Sequence, residues 1–90
     1  MIGRIKGKIV AMKESYIIVD VHDIGYKISM NSFSLAKIAG HETAELFIHT
    51  HVREDALSLI GFLSEEELEM FELLISISGI GPKVDRKSVV

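Results

Sequence analysis

Two glycines flanking one apolar residue, followed by a proline and a lysine, are the residues of this chain best suited to chemistry: Gly79-Ile80-Gly81-Pro82-Lys83. Glycines lack a Cβ, so their backbone can turn tightly and approach a ligand closely. Pro82 suits the first turn of a following helix, where its missing N–H costs nothing. Free N–H groups at such a helix start donate to phosphate oxygens, and Lys83 would add a point charge. With a helix upstream, this is the pattern of a helix-hairpin-helix motif, which grips a nucleic-acid backbone without reading base sequence. Binding of that kind weakens as salt rises. The same residues also fit an ordinary helix C-cap and turn. Residues 84–90, Val-Asp-Arg-Lys-Ser-Val-Val, are too few and too polar for a complete second helix, so the motif is expected to be incomplete.

Three other groups carry charge or lone pairs at a telling spacing. Arg4, Lys6 and Lys8 alternate with Ile5, Gly7 and Ile9, which places three cations on one face of a strand. They form a possible basic face toward DNA, although strand cations are most often solvated. Arg53-Glu54-Asp55 is a fully charged hairpin tip. Adjacent carboxylates on a tip lack the cleft that would tune them, so Glu54 and Asp55 are no acid–base dyad. His49 and His51 share a strand face, but two ligands without a third make an ordinary exposed or hydrogen-bonded pair rather than a zinc site. There are no cysteines, which excludes disulfides and thiolate metal sites. No Walker-type glycine loop and no supported Ser-His-Asp arrangement occurs. No catalytic residue, metal or cofactor is expected.

The elements that must position these groups are mostly strands. The alternation through Ile5, Gly7, Ile9 and Ala11 predicts the first, and Tyr16–Val21 is a second, nearly continuous in apolar residues. His22-Asp23-Ile24-Gly25 reads as a turn, with Gly25 taking positive φ. Tyr26, Ile28 and Met30 alternate with Lys27 and Ser29 in a third strand, completing a meander. Asn31 or Ser32 caps a short helix carrying Phe33, Leu35 and Ile38, and Gly40 ends it. Leu46, Ile48, Thr50 and Val52 define a fourth strand, and Ala56–Phe62 a fifth. Five short strands with a helix between the third and fourth is the order of a mainly β OB-fold, a Greek-key barrel. Ser64 with Glu67 three residues on is a capping box. The helix it opens has an apolar stripe at Leu68, Phe71, Leu74 and Ile75, and Gly79 stands where a C′ glycine would end it. The expected units are therefore 1–62, a barrel, and 63–90, the start of a helix-hairpin-helix domain. The stripe is expected to be partly exposed, favouring oligomers.

Ninety residues, 48% hydrophobic and 26% charged, are the composition of a globular domain. Net charge is −3, unlike a typical nucleic-acid binder, but the distribution is uneven. Residues 1–13 hold Arg4, Lys6, Lys8 and Lys13 and no acid, whereas residues 64–72 hold Glu65, Glu66, Glu67, Glu69 and Glu72. A dipolar chain can hold phosphate on one face and repel it from another, although two solvated faces explain the same pattern. The N-terminus lacks a secretory h-region, and no apolar run approaches a membrane span.

Taken together, several segments resemble the RuvA family of Holliday-junction-recognition proteins. They are Met1-Ile2-Gly3-Arg4-Ile5-Lys6-Gly7, Asp23-Ile24-Gly25-Tyr26, Thr50-His51, Val52-Arg53-Glu54-Asp55-Ala56, Ile60-Gly61-Phe62 and Gly79-Ile80-Gly81-Pro82-Lys83. Their order and rough spacing match from residue 1 to about 83. The resemblance implies an OB-fold first domain, a second domain with two helix-hairpin-helix motifs, and a flexible third domain. It implies a cytoplasmic homotetramer that holds four-way junction DNA open and flat in recombination, repair and the SOS response. The hexameric ATPase RuvB, recruited by the third domain, would drive branch migration, and the resolvase RuvC is a further family partner.

By the same resemblance, Glu54 and Asp55 match an acidic pin beside the crossover, where carboxylates repel phosphates. Gly79, Gly81 and Lys83 match the first phosphate-binding hairpin. After Lys83 the family continues in an alanine-rich helix, where this chain has Asp85, Arg86 and Lys87. The second hairpin and the RuvB-binding domain are expected to be missing. The chain then reads as a truncated N-terminal part, non-catalytic and junction-binding. A second expectation is a tetramerisation module that has lost DNA affinity. A generic single-strand binder ranks last, because no aromatic residue lies on the Arg4/Lys6/Lys8 strand for bases to stack on.

Overall fold

The computed structural model describes residues 1–78. Five strands form a closed barrel in the order β1-β2-β3-β5-β4, with β1 at Arg4–Met12, β2 at Tyr16–Val21, β3 at Ile24–Ser29, β4 at Thr43–Arg53 and β5 at Ala56–Phe62. Helix α1 (Ser32–Ile38) lies between β3 and β4, and α2 (Glu65–Ser78) follows β5. All pairings are antiparallel except β3 with β5. That parallel closure is short, joining Ile28 to Leu59 and Ser29 to Ile60. The expected strand–helix order is thus present, and the ring closes into an OB-type barrel that leaves little free sheet edge.

Strand β1 makes the closure possible because it serves two partners. Arg4 to Lys8 pair with β4, and Lys8 to Met12 pair with β2, with a register shift between Ile9 and Ala11. A bulge of this kind bends a strand and increases its twist. Gly7 packs against β2 just before the β1–β2 pairing begins at Lys8. A Cβ there would collide with the Asp20 carbonyl oxygen and stand 2.8 Å from Val21 Cγ2. Gly61 does the same at the parallel seam, where a Cβ would lie 2.6 Å from Ile28 Cγ2.

The period-two pattern fills the barrel. Ile5, Ile17, Val19, Ile28, Leu46 and Ile48 are buried inside, and Leu35 and Ile38 of α1 join the same core. Each such aliphatic side chain contributes about 1.5–3 kcal/mol on burial. Thr50, also buried, ties down the N-terminal segment. Its hydroxyl donates to the Ile2 carbonyl at 2.6 Å and accepts from the Ile2 N–H at 3.1 Å. The Ile48 N–H donates to the Gly3 carbonyl beside it.

Four details refine the expectation. The β2–β3 turn is made by His22 and Asp23, both at positive φ (52° and 71°), while Gly25 lies inside β3 opposite Asp20. A two-residue hairpin loop whose strands are right-twisted needs this left-handed pair, and the loop is placed by the Val21–Ile24 pairing rather than by the glycine. Phe33 is 81% exposed, because α1 turns Ser34, Leu35 and Ile38 inward instead. Val52 is exposed as well, since β4 runs on past the core. On α2 the expected stripe is split, with Leu68, Phe71 and Ile75 half-buried and Leu74 exposed. The helix starts were legible. Asn31 caps α1, its side chain accepting from the Ser34 N–H at 2.8 Å, and Gly40 follows at φ 86°.

Candidate nucleic-acid interface

The two carboxylates of the charged tip sit at the end of the longest hairpin. Strands β4 and β5 pair from Phe47–Phe62 out to Arg53–Ala56, and Glu54 and Asp55 make the two-residue connection, both exposed. The hairpin outruns the core there, because Val52 and the residue opposite it, Leu57, are both about 60% exposed. A pair of acids is thus presented to solvent on a stiff, two-stranded arm. Neither is enclosed, so what the tip offers is exposed negative charge.

Arg4, Lys6 and Lys8 all point outward from β1. Lys6 is opposite Glu45 across the ladder and Lys8 is opposite both Asp20 and Thr43, whereas Arg4 is opposite Phe47. Arg4 is engaged with Glu45, its Nη1 2.9 Å from Oε2. A half-exposed pair of this kind contributes about 0–1 kcal/mol, but it partly neutralises the basic face. Gly79, Gly81 and Lys83 lie outside the described residues. The helix that leads to them, α2, is in place and carries Glu65, Glu66 and Glu67 in its first turn, at the positive end of its dipole. The Glu67 N–H donates to Ser64 Oγ, and its carboxylate accepts from the Leu63 N–H, each at 3.2 Å. The expected capping box is therefore present with its return bond one residue earlier than the cap.

Residue typing alone did not find the contact that seats α2 on the barrel. His49, on the outer face of β4, donates from Nδ1 to Glu72 Oε2 at 2.9 Å and meets the Phe71 ring edge-on at 5.3 Å between centroids. Phe71 also packs on Phe62, 5.1 Å away. The two partners of the polar bond are 23 residues apart, and no periodicity links a strand histidine to one glutamate among five. His49 is therefore a hydrogen-bonded histidine, and no group of three or more metal-binding side chains occurs among the described residues. No helix among them is long and apolar enough to cross a membrane.

A closed five-stranded barrel with this strand order and an inserted helix defines the chain first as an OB-fold protein. Its relatives narrow that class. Residues 1–61 match the model of the RuvA N terminal domain. The chain is 43% identical over 84 residues to the Holliday junction branch migration complex subunit RuvA of Rickettsia bellii (strain OSU 85-389), covering 93% of this chain and 41% of that protein. It is 48% identical over 85 residues to the protein of the same name from Sinorhizobium medicae (strain WSM419), covering 93% and 42%. The Rickettsia akari (strain Hartford) protein is 45% identical over 84 residues. The chain belongs to the RuvA family, and it spans about two fifths of the length of these curated relatives.

Proposed function

We propose that this chain is a four-way-junction-binding subunit of a RuvA–RuvB branch-migration complex, acting in recombination and repair without itself breaking or forming a bond. The observation that carries the reading is the pair Glu54 and Asp55 at the end of a projecting hairpin, in a chain whose first 61 residues match the RuvA N-terminal domain. In this reading four copies bring four such tips to the centre of an open junction. A carboxylate about 10 Å from a phosphate is repelled by roughly 1.7 kcal/mol at an effective dielectric near 20, against roughly 0.4 kcal/mol in bulk water. Continuous duplex is then disfavoured at the centre, while the four diverging arms of a junction are accommodated around it.

Affinity comes from elsewhere, since acids supply none. The proposal assigns it to Gly79, Gly81 and Lys83 as a backbone grip on phosphate, with Lys6 and Lys8 as secondary contacts. The barrel unit, 1–62, assembles the tetramer, and 63–90 begins the DNA-gripping unit. RuvB and RuvC are the protein partners, and the cytoplasm is the compartment. A second reading, an assembly module without useful DNA affinity, is favoured by the exposed apolar pair Val52 and Leu57 beside the tip, a contact surface suited to another copy.

Sedimentation of the chain alone and with a fluorescent four-way junction tests both readings. A tetramer that co-sediments with the junction supports the proposal. A tetramer that leaves the junction free supports the assembly module. A monomer that does not bind contradicts both.

A further inference from the structure

We propose that His49 and Glu72 are positioning residues, a latch that fixes the direction of α2 on the barrel and with it the spacing between the acidic tip and the end of α2 at Ser78. The consequence for DNA rests on the junction-binding reading above, whereas the latch itself rests on geometry alone.

Helix α2 is held at two places. Its start is fixed by the Ser64 cap and the Leu63–Glu67 bond. About 11 Å further along the axis, at 1.5 Å per residue, Phe71 and Glu72 meet His49 and Phe62. Between and beyond these anchors the helix shows mostly exposed side chains, including Met70, Leu73 and Ile77, with Leu68 and Ile75 half-buried. One anchor locates a helix, and a second sets its direction. The apolar ring contact alone tolerates sliding and rotation, whereas a hydrogen bond demands one distance and angle. The His49–Glu72 bond therefore selects one orientation from those the aromatic contact allows.

His49 also stands on the strand that ends in the tip, five residues before Glu54, or about 17 Å along an extended strand. Glu72 stands six residues before the end of α2 at Ser78, about 9 Å along the helix axis. The latch thus joins, through a strand and a helix, the acidic tip and the end of α2 at Ser78.

The absence of cysteine lets spin labels be placed at Lys37→Cys on α1 and Ser76→Cys on α2, with unlabelled chain in excess so that only distances within one copy are read. The variants are His49→Phe, which keeps a ring against Phe71 and removes the polar bond, and Glu72→Gln, which keeps an acceptor for Nδ1. Barrel integrity is followed by thermal unfolding. The latch predicts a narrow distance distribution for the parent and for Glu72→Gln, and a broadened one for His49→Phe with the barrel still folded. It further predicts that His49→Phe weakens junction binding by roughly threefold or more, the scale of one lost hydrogen bond, while leaving duplex binding unchanged. An unaltered distribution in His49→Phe overturns the latch. A broadened distribution with unaltered junction affinity overturns its role in DNA binding. A parent that ignores junctions removes the function proposed above, and the distance measurement still decides the latch.

Discussion

Single residues divide here into those that shape the barrel and those that present charge. Gly7 and Gly61 belong to the first kind. At Gly7 an added methyl meets main chain, which cannot rotate away, whereas at Gly61 it meets the Ile28 side chain. Gly61→Ala is expected to cost about 1–3 kcal/mol by overpacking, and Gly7→Ala more than that, as read from urea unfolding midpoints. Gly61 is also buried in β5 opposite Ile48, so it has no slack toward solvent. Glu54 and Asp55 are of the second kind. The double variant Glu54→Gln/Asp55→Asn is expected to leave stability within about 0.5 kcal/mol, as exposed substitutions do. It should raise affinity for plain duplex and so lower the junction-to-duplex ratio, measured by fluorescence anisotropy. Unchanged duplex affinity would count against repulsion as the role of the tip.

At the scale of elements, local rules succeeded where a single side chain decides the outcome. Asn31 and Ser64 cap the two helices because each has an oxygen within reach of N–H groups three residues on. Asn31→Ala should therefore lower stability by about 1 kcal/mol, seen as a reduced unfolding midpoint. Local rules failed at the β2–β3 turn. A glycine two residues along suggested positive φ at Gly25, but the strand register set by Val21 and Ile24 placed the turn on His22-Asp23. Those two hold left-handed conformations that β-carbon-bearing residues adopt at a cost. Replacing them by Asn-Gly, the pair that favours this turn, is expected to raise stability by about 0.5–1 kcal/mol. Loss of stability would mean that the side chains contribute more than the backbone strain removes. Phe33 was misplaced for a related reason: a seven-residue helix has room for one narrow buried face, here Ser34, Leu35 and Ile38, and its rotation depends on the core it packs against.

Across the whole molecule, the barrel was legible because alternating or continuous apolar runs mark each strand and the interruptions fall at the turns and at α1. Its closure was not legible. The short parallel seam of Ile28 with Leu59 joins residues far apart in sequence, and Gly61 shows its necessity only once Ile28 is seen against it. The seating of α2 was hidden for the same reason, since His49, Phe62, Phe71 and Glu72 become neighbours only in three dimensions. Of the candidate site, the acidic tip was readable from Arg53-Glu54-Asp55, and the neutralising contact of Arg4 with Glu45 was not. The proposal that the acids repel while backbone contacts attract makes salt diagnostic. The logarithm of the junction-binding constant should fall linearly with the logarithm of salt concentration, with a slope of about −0.9 for each phosphate contacted.

The central claim is selectivity for a four-way junction, and equilibrium competition measures it most directly. A labelled junction is held at half-saturation by the 90-residue chain, and unlabelled junction or unlabelled duplex of equal total length is added at one fixed salt concentration. The account predicts that unlabelled junction displaces the label at stoichiometric concentrations, while duplex displaces it only in large excess. Equal displacement by the two would contradict the account and leave the chain a barrel of the RuvA family without junction recognition of its own.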